Sequence, residues 1–361
     1  MIRVPGIGKP TLLTLPRLKV LASRLTLLCF ILLSSAALAH VKWFAPYDLL
    51  CPPRPLFSVI NGSFFKAFCG VMVLVMFATA YIDVLLTQRA RALNELVHKI
   101  TEFFEPNAFL LIRTGVFLFL LAVSYLGNVL LTPELQTDWP WVRWLQLLMA
   151  LLVVMPRTAY LTSLGFGFLY VCAIYRYGWF HLLDYPIFLG VAAYLFIMSR
   201  YGEEKSALAL TVLRALTGIT LLWAGMEKFA YPEWSFPLLK DRPGVSFGFE
   251  PEFFMVAAGF VEFTAAFLLI TVSIAARVAS ALLLFIFSAA VPEFGVVDLV
   301  GHFVIIIVLI VLICSRNPIA DKFKVGKSTT STALLFVVMY FGALAAQGGL
   351  FYAAHWLAYG V

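Results

Sequence analysis

Charged side chains are scarce in this sequence, and that scarcity indicates its structural class. They make up 12% of the 361 residues, whereas hydrophobic residues make up 62% and the mean hydropathy is +0.96. A soluble domain usually has about twice that charged fraction. Apolar runs recur from one end of the chain to the other. The sequence therefore predicts an all-α, polytopic membrane bundle and excludes a large soluble domain.

Cysteine is also sparse, and its spacing excludes two kinds of site. The chain has five cysteines, and no two of them form a CxxC pair. A dithiol active site and a zinc ribbon are therefore not expected. Most of the cysteines fall inside apolar runs, where a thiol behaves as a small hydrophobic group. The five are Cys29, Cys51, Cys69, Cys172 and Cys314.

The net charge of +7 does not indicate a nucleic-acid partner. The basic residues are not clustered with aromatic residues on one polar face, as nucleic-acid binding requires. They lie in short connections between apolar runs, where lysine and arginine determine membrane orientation. Their distribution places the N-terminus in the cytoplasm, unless the first run is cleaved, and the C-terminus in the periplasm.

Eleven apolar runs are predicted to be membrane spans, or ten if the first is removed by cleavage. The estimate rests on the length of helix, about 20 residues, that crosses a bilayer core. Several runs are shorter than this and are expected to tilt little. The predicted spans are 21–39, 64–87, 108–131, 141–156, 158–176, 182–199, 206–226, 252–272, 276–292, 298–314 and 331–350.

Residues 1–39 are predicted to be a signal peptide or an uncleaved signal-anchor span. Basic residues precede an apolar run, and Ala37 and Ala39 match the small-residue pattern of a cleavage site. Cleavage there would make His40 the N-terminal residue, whose α-amine and imidazole suit a copper ion. Without cleavage, His40 is an ordinary residue at the membrane boundary. The proline-rich segment 40–55, here called the strap, is expected to cover the outer face of the bundle.

Two segments of the chain resemble each other. Residues 182–200 are LLDYPIFLGVAAYLFIMSR, and residues 296–316 are VVDLVGHFVIIIVLIVLICSR. Each has an aspartate after two aliphatic residues, ends in Ser-Arg, and lies at the end of four predicted spans. The pattern indicates a duplicated four-helix unit, and such duplications usually place their binding site between the halves. The predicted domains are 1–39, 40–107 (with a cytoplasmic amphipathic helix at 89–105), 108–200, 201–316 and 317–361.

Ionisable side chains inside a membrane are costly, and each is therefore a candidate site residue. Glu262 lies about ten residues into its span, and Lys228 at the end of the preceding span can reach towards it. Asp298 and His302 are four residues apart, hence on one helical face, where a carboxylate can orient an imidazole or help hold a metal. These four residues are predicted to form the catalytic part of one outward-facing pocket. A structural ion-pair network that locks the helices together would use the same residues.

The second half has an arginine and a glycine in its first span, Gly-x-x-Lys near the end of that span, a glutamate in the second span and an arginine after it. These residues are Arg214, Gly218, Gly225, Lys228, Glu262 and Arg277. With this pattern the second half resembles the DoxX family of small four-span membrane proteins. The resemblance covers about residues 206–316 and extends weakly to 108–200, which implies two tandem DoxX-like four-helix repeats. The family includes a subunit implicated in thiosulfate oxidation with electron transfer to quinone. The resemblance therefore implies a redox-linked subunit of a bacterial inner membrane, with a membrane or periplasmic redox partner.

Quinone is the cofactor that this resemblance implies. A quinone site at lipid depth needs apolar walls, aromatic rings and a proton acceptor. Trp223, Phe260 and Glu227 are predicted to bind the cofactor next to Glu262 and His302.

Two other functions are compatible with the same sequence. A transporter or metal-handling membrane protein would use His40, His302 and Asp298 as ligands for copper or another metal. An assembly factor for a periplasmic or membrane enzyme would bind its partner through the strap, and the polar residues would only hold the helices together.

Overall fold

All regular structure in the described part of the chain is helical, apart from one antiparallel bridge between Val129 and Gln136. The computed structural model describes residues 41–89, 95–96, 99, 101–102, 104–272, 274–318, 320, 326 and 328–360. The predicted all-α class is confirmed. The predicted signal segment, His40 and much of the predicted amphipathic helix at 89–105 lie outside the described residues.

Nine long helices make up the described bundle, and short helices at Leu56–Asn61, Trp179–Leu182 and Phe236–Asp241 lie between them. Their sequences are apolar and interrupted by Gly, Pro or polar residues at the helix ends. The long helices are α1 (Ser63–Arg89), α2 (Ala108–Leu126), α3 (Trp141–Val154), α4 (Ala159–Tyr177), α5 (Pro186–Tyr201), α6 (Ser206–Ala230), α7 (Pro251–Thr271), α8 (Ile274–Cys314) and α9 (Thr329–Tyr359).

Six helical stretches in the described residues are long and apolar enough to cross a membrane, and the protein is membrane-embedded. On the flanks of the bundle, large apolar side chains such as Leu74, Leu151 and Val338 are exposed. Lipid solvates such side chains without cost. The six stretches are Ser63–Leu86, Ala108–Leu126, Pro186–Ala230, Pro251–Thr271, Ile274–Cys314 and Thr329–Tyr359.

Two of these stretches fold back on themselves. The Arg277 guanidinium donates to the carbonyl of Ile313 at 2.6 Å, although 36 residues of straight helix would span about 54 Å. Helix α8 therefore reverses at Gly295, whose φ of 76° interrupts the helix. In the same way, the backbone N–H of Ile187 in α5 donates to Thr220 Oγ1 in α6 at 2.9 Å. These two helices form an antiparallel pair.

Helix α6 lies at the centre of the bundle, packed between α5 and α7. Gly225 allows the close approach to α7, because a Cβ there would lie 3.2 Å from the carbonyl oxygen of Gly259. Small residues let membrane helices approach each other in this way. Helix α2 packs against both α3 and α8, and α1 packs against α9. The two halves of the chain therefore meet along α5, α6, α2 and α8.

Buried arginines occupy the end of the bundle away from the strap. Arg214, near the start of α6, donates to the carbonyl of Leu269 in the last turn of α7 at 3.1 Å. Arg113, near the start of α2, donates to the carbonyl of Val153 in the last turn of α3 at 2.9 Å. Helix C-termini leave carbonyls without intrahelical partners and have partial negative charge, so a guanidinium is favourable there.

We expect Gly295→Ala to destabilise the protein by about 1–2 kcal/mol, because a residue with a Cβ is strained at this positive φ. The added methyl group would meet no atom of the described residues within 4 Å, so backbone strain is the main cost. Thermal unfolding in detergent measures the change. Gly342→Ala is the matched control, since this glycine lies within α9 with equally open space. The control is expected to be neutral or stabilising. Equal effects of the two substitutions would contradict the assignment of strain to Gly295.

Candidate functional site

The strap packs across one end of the bundle, here called the strap end. Its contacts extend from α6 to α9. The N–H of Arg54 donates to the carbonyl of Ala230 at 2.9 Å, and Tyr352 donates to the carbonyl of Arg54 at 2.7 Å. The His355 ring lies 3.0 Å from the carbonyl of Leu49. The prediction that the strap covers one face of the bundle is confirmed.

Lys42 is the most deeply buried contact of the strap. Its ammonium forms an ion pair with Asp184 and a second one, at 2.5 Å, with Glu227 at the end of α6. The side chain of Lys42 is 1% exposed. Burial disfavours the ammonium, but the carboxylates of Asp184, Glu227 and Glu134 outweigh this and raise the pKa of Lys42 well above its usual value. Lys42 therefore stays charged and joins the two halves of the bundle.

Glu134 extends this cluster from the loop between α2 and α3. It lies 2.8 Å from His181 Nε2, and its other oxygen accepts a hydrogen bond from the Tyr185 hydroxyl. Burial and the neighbouring Glu134 carboxylate raise the pKa of Tyr185, so its phenol stays protonated and donates. The loop is shaped by the bridge between Val129 and Gln136, which turns Glu134 inwards.

Lys228 and Glu262 form a second ion pair, between α6 and α7. The Lys228 ammonium lies 2.7 Å from Glu262 Oε2, and the two side chains are 15% and 3% exposed. The predicted approach of Lys228 to Glu262 is confirmed. Since neighbouring residues of a helix point about 100° apart, Glu227 and Lys228 face different partners from the same turn of α6.

Asp298 and His302 form a third pair after the reversal of α8. His302 Nδ1 lies 3.2 Å from Asp298 Oδ1, and the Asp298 side chain is fully buried. The indole of Trp43 packs against the imidazole with 4.7 Å between ring centroids and an angle of 54° between the ring planes. The same indole covers Gly301, where a Cβ would overlap the Trp43 ring. The strap therefore places an aromatic roof over His302.

A cavity of about 80 Å³ lies beneath Trp43, between the two halves of the bundle. Asp184 and Thr132 line it from the first half, and Lys228, Glu262 and His302 line it from the second. Asp298 is one helical turn behind His302. The four predicted catalytic residues therefore converge around one cavity. Its apolar lining includes Tyr185, Ile187, Phe188, Leu221, Phe287, Val304 and Ile305.

The structure does not bring the predicted cofactor-binding residues to this cavity. Trp223 packs against Phe351 with 4.9 Å between ring centroids, and Phe260 packs against Phe65 at 5.0 Å. Neither side chain lines the cavity. Glu227 is 6% exposed and bound to Lys42, and it does not line the cavity either. The sequence around the end of α6 could not show that Lys42, which is distant in the chain, would bind Glu227.

The predicted metal ligands are brought together only in part. His302 and Asp298 are adjacent, whereas His40 lies outside the described residues. Within the described residues, no group of three or more His, Cys, Asp or Glu side chains is placed to hold a metal ion. Of the predicted ligands, the described residues therefore bring together one two-residue pair, fewer ligands than copper or zinc sites use.

Sequence reasoning does not identify several residues of this site. In the sequence, Lys42 is notable only as a basic residue on the predicted outer side of the membrane, where lysine and arginine are less common. Glu134 is only a charged residue in a predicted loop. Nothing in the pattern gives Trp43 or Tyr185 a role at the site. Their partners are far away in sequence: 142 residues separate Lys42 from Asp184. The available signal is the presence of a lysine and an aromatic residue in a strap expected to pack against the bundle.

We expect Lys42→Met to destabilise the protein by about 3–5 kcal/mol, because it leaves buried carboxylates without their cation. Thermal and denaturant unfolding of the purified protein measure the loss. Lys240→Met, at an exposed lysine, is the control and should change stability by less than about 0.5 kcal/mol. Adding Asp184→Asn to Lys42→Met should recover part of the loss. A Lys42→Met protein as stable as the control would refute the role of this ammonium.

We expect Gly301→Ala to cost about 1–3 kcal/mol, because the added methyl group overlaps the Trp43 ring and the site is already tightly packed. Combined with Trp43→Ala, the substitution should cost much less than it does alone, which a double-mutant cycle detects. Gly70→Ala, in open space on α1, is the control. Strict additivity of the Gly301 and Trp43 substitutions would show that the indole does not cover Gly301 in solution.

Comparisons with protein-family models, with curated proteins and with solved structures found no match to this chain. The resemblance to the DoxX family therefore stays a prediction from the residues that suggested it. The geometry of the cavity limits the chemistry that it can perform: it is a half-open space at the seam of the bundle with two acid–base pairs and an aromatic roof.

Proposed function

We propose that the chain is a multi-pass protein of a bacterial inner membrane, built from two tandem DoxX-like four-helix repeats. Equivalent contacts support the repeat. Arg113 reaches the C-terminal carbonyls of α3, as Arg214 reaches those of α7. Asp184 and Asp298, which the sequence aligns, both lie beside the cavity. The helix positions and the charge bias support ten or eleven crossings, an N-terminus that is cytoplasmic or cleaved, and a periplasmic C-terminus.

We further propose that the protein is a redox-linked membrane subunit whose cavity takes protons from a small reduced substrate. The convergence of His302, backed by Asp298, with the Lys228–Glu262 pair around one cavity is the observation behind this proposal. A carboxylate beside an imidazole fixes the orientation of the ring. His302 is the proton acceptor, and Glu262 is a second titratable group, paired with the Lys228 ammonium.

The size of the cavity favours a small uncharged thiol over a quinol head group. A space of about 80 Å³ is roughly half the 150 Å³ that holds one benzene molecule in an apolar protein cavity. A quinol ring therefore exceeds this space. Oxidation of two thiols to a disulfide releases two protons and two electrons. In this proposal a redox partner passes the electrons to membrane quinone, which takes up two protons as it is reduced.

Transport of a small cation or proton is the second candidate function. One observation favours it: five buried carboxylates surround the cavity and its strap-side wall, and only two lysines lie among them within the described residues. The carboxylates are Glu134, Asp184, Glu227, Glu262 and Asp298, and the lysines are Lys42 and Lys228. Such groups inside a membrane are typical of proton and ion pathways.

We expect His302→Asn to lower thiol-dependent quinone reduction at least tenfold, since general-base catalysis contributes about 10²–10⁴-fold. Glu262→Gln should lower it as well. The assay uses membranes from cells that produce the full chain, and it follows the ratio of quinol to quinone after a thiol is added. Glu293→Gln, at an exposed carboxylate paired with Arg242, is the control and should leave the rate unchanged. Wild-type rates in a folded His302→Asn protein would rule out the redox role of this site.

A further inference from the structure

Buried oxygen atoms without hydrogen-bond donors face the seam cavity. Asp184 is 5% exposed, and while its Oδ2 binds Lys42, its Oδ1 has no hydrogen-bond donor among the described residues. Thr132 is 1% exposed, and its hydroxyl likewise has no hydrogen-bond partner there. Both residues line the cavity. A buried polar atom left in this state is destabilising, so the cavity favours an occupant that donates a hydrogen bond to oxygen.

Asp298, in the opposite half of the bundle, is a further buried carboxylate near the cavity. It is fully buried, and neither of its carboxylate oxygens accepts a well-aligned hydrogen bond from the part of the chain that the structure describes. The His302 imidazole lies beside it, with Nδ1 at 3.2 Å from Oδ1. Gly301 and His302, three and four residues further along the same helix, line the cavity. An isolated buried carboxylate is unstable unless a proton or another positive charge compensates it.

The balance of charges around the cavity also favours a cation. Within the described residues, the five carboxylates near the cavity outnumber the two lysines, and His181, His302 and the Tyr185 phenol are further titratable groups there. Lys228 lines the cavity but is already neutralised by Glu262 at 2.7 Å. An anion such as thiosulfate or sulfate is therefore disfavoured in the cavity, and a cation is favoured.

We propose that the seam cavity binds a small monovalent cation of the ammonium class at the oxygens of Asp184 and Thr132. A cavity of about 80 Å³ admits an ion of this size, since one water takes up about 30 Å³ of liquid. The N–H groups of ammonium match the unpartnered oxygens, and the rings of Trp43 and Phe287 in the lining offer cation–π contact. Hard divalent cations such as Mg²⁺ and Ca²⁺, by contrast, need about six oxygen ligands.

The proposal rests on the cavity that the proposed function uses, but it requires no redox reaction there. It deepens the second candidate function, because a bound ammonium-type ion would be the substrate or the coupling ion of a transporter. The Lys42 ammonium already binds one carboxylate oxygen of Asp184, and the proposed cation binds the other.

A thermal-shift titration of the full-length protein in lipid nanodiscs tests the proposal. Ammonium chloride is titrated at pH 7, with N-methylglucamine chloride keeping the ionic strength constant. We expect Tm to rise by several degrees and to saturate, because a ligand that binds only the folded state stabilises it by mass action. Thr132→Val should weaken the apparent affinity at least tenfold without changing any charge, and Asp184→Asn should abolish the shift.

Asp138→Asn is the control variant, since Asp138 is an exposed carboxylate of the same α2–α3 loop, and its ammonium affinity should equal that of the wild type. If the wild-type protein shows no saturable shift, or if Thr132→Val and Asp184→Asn bind ammonium as the wild type does, the proposal is overturned. If Asp184→Asn fails to fold, Thr132→Val decides alone. The titration involves no turnover, so its outcome is independent of the thiol-oxidation assay.

Discussion

The buried ammonium of Lys42, held between Asp184 and Glu227, is the interaction on which the strap end of this protein depends. Asp184 precedes α5 in the first half of the bundle, and Glu227 ends α6 in the second. Two such carboxylates at close range would repel each other and remain costly to bury without a cation. Because Lys42 binds both, the next residue of the strap, Trp43, lies directly over His302 and Gly301. The roof of the cavity is thus a consequence of one ion-paired cluster.

The last turn of α6 places two oppositely charged side chains in different surroundings. Glu227 binds the strap, whereas Lys228 binds Glu262 on α7 and lines the cavity. Helix geometry turns these neighbours in different directions, so one helix end connects the seam between the halves with the interior of the second half. At the other end of the bundle, guanidinium groups on helix C-termini are the main buried charges described. The two ends therefore differ in the sign of their buried charge.

Much of the fold was predictable because lipid imposes a simple rule on sequence. Helices must be apolar and about 20 residues long, so runs such as α7 and α9 are visible without any structure. The approach of Lys228 to Glu262 and the pairing of Asp298 with His302 followed from helical spacing and depth. These are local or near-local relationships, which a single sequence contains.

Contacts between distant segments could not be predicted in this way. Trp223 and Phe260 are aromatic residues close to the predicted site in sequence, but helix rotation turns them towards Phe351 and Phe65 instead. Conversely, Lys42 and Glu134 lie in polar segments that suggest water exposure, and only tertiary packing buries them. Apolar helices give little indication of which face meets which neighbour, since almost every face is hydrophobic.

The path of the strap has a consequence for biosynthesis. The strap is made long before its last partner, since the carbonyl of Leu49 meets His355, 306 residues later in the chain. At about 5–20 residues per second, that interval lasts roughly 15–60 s. Until α9 leaves the ribosome, the strap lacks its contacts with Tyr352 and His355. The strap that carries the Trp43 roof therefore gains its full set of contacts only after the other residues of the cavity lining have been made, because all of them precede α9.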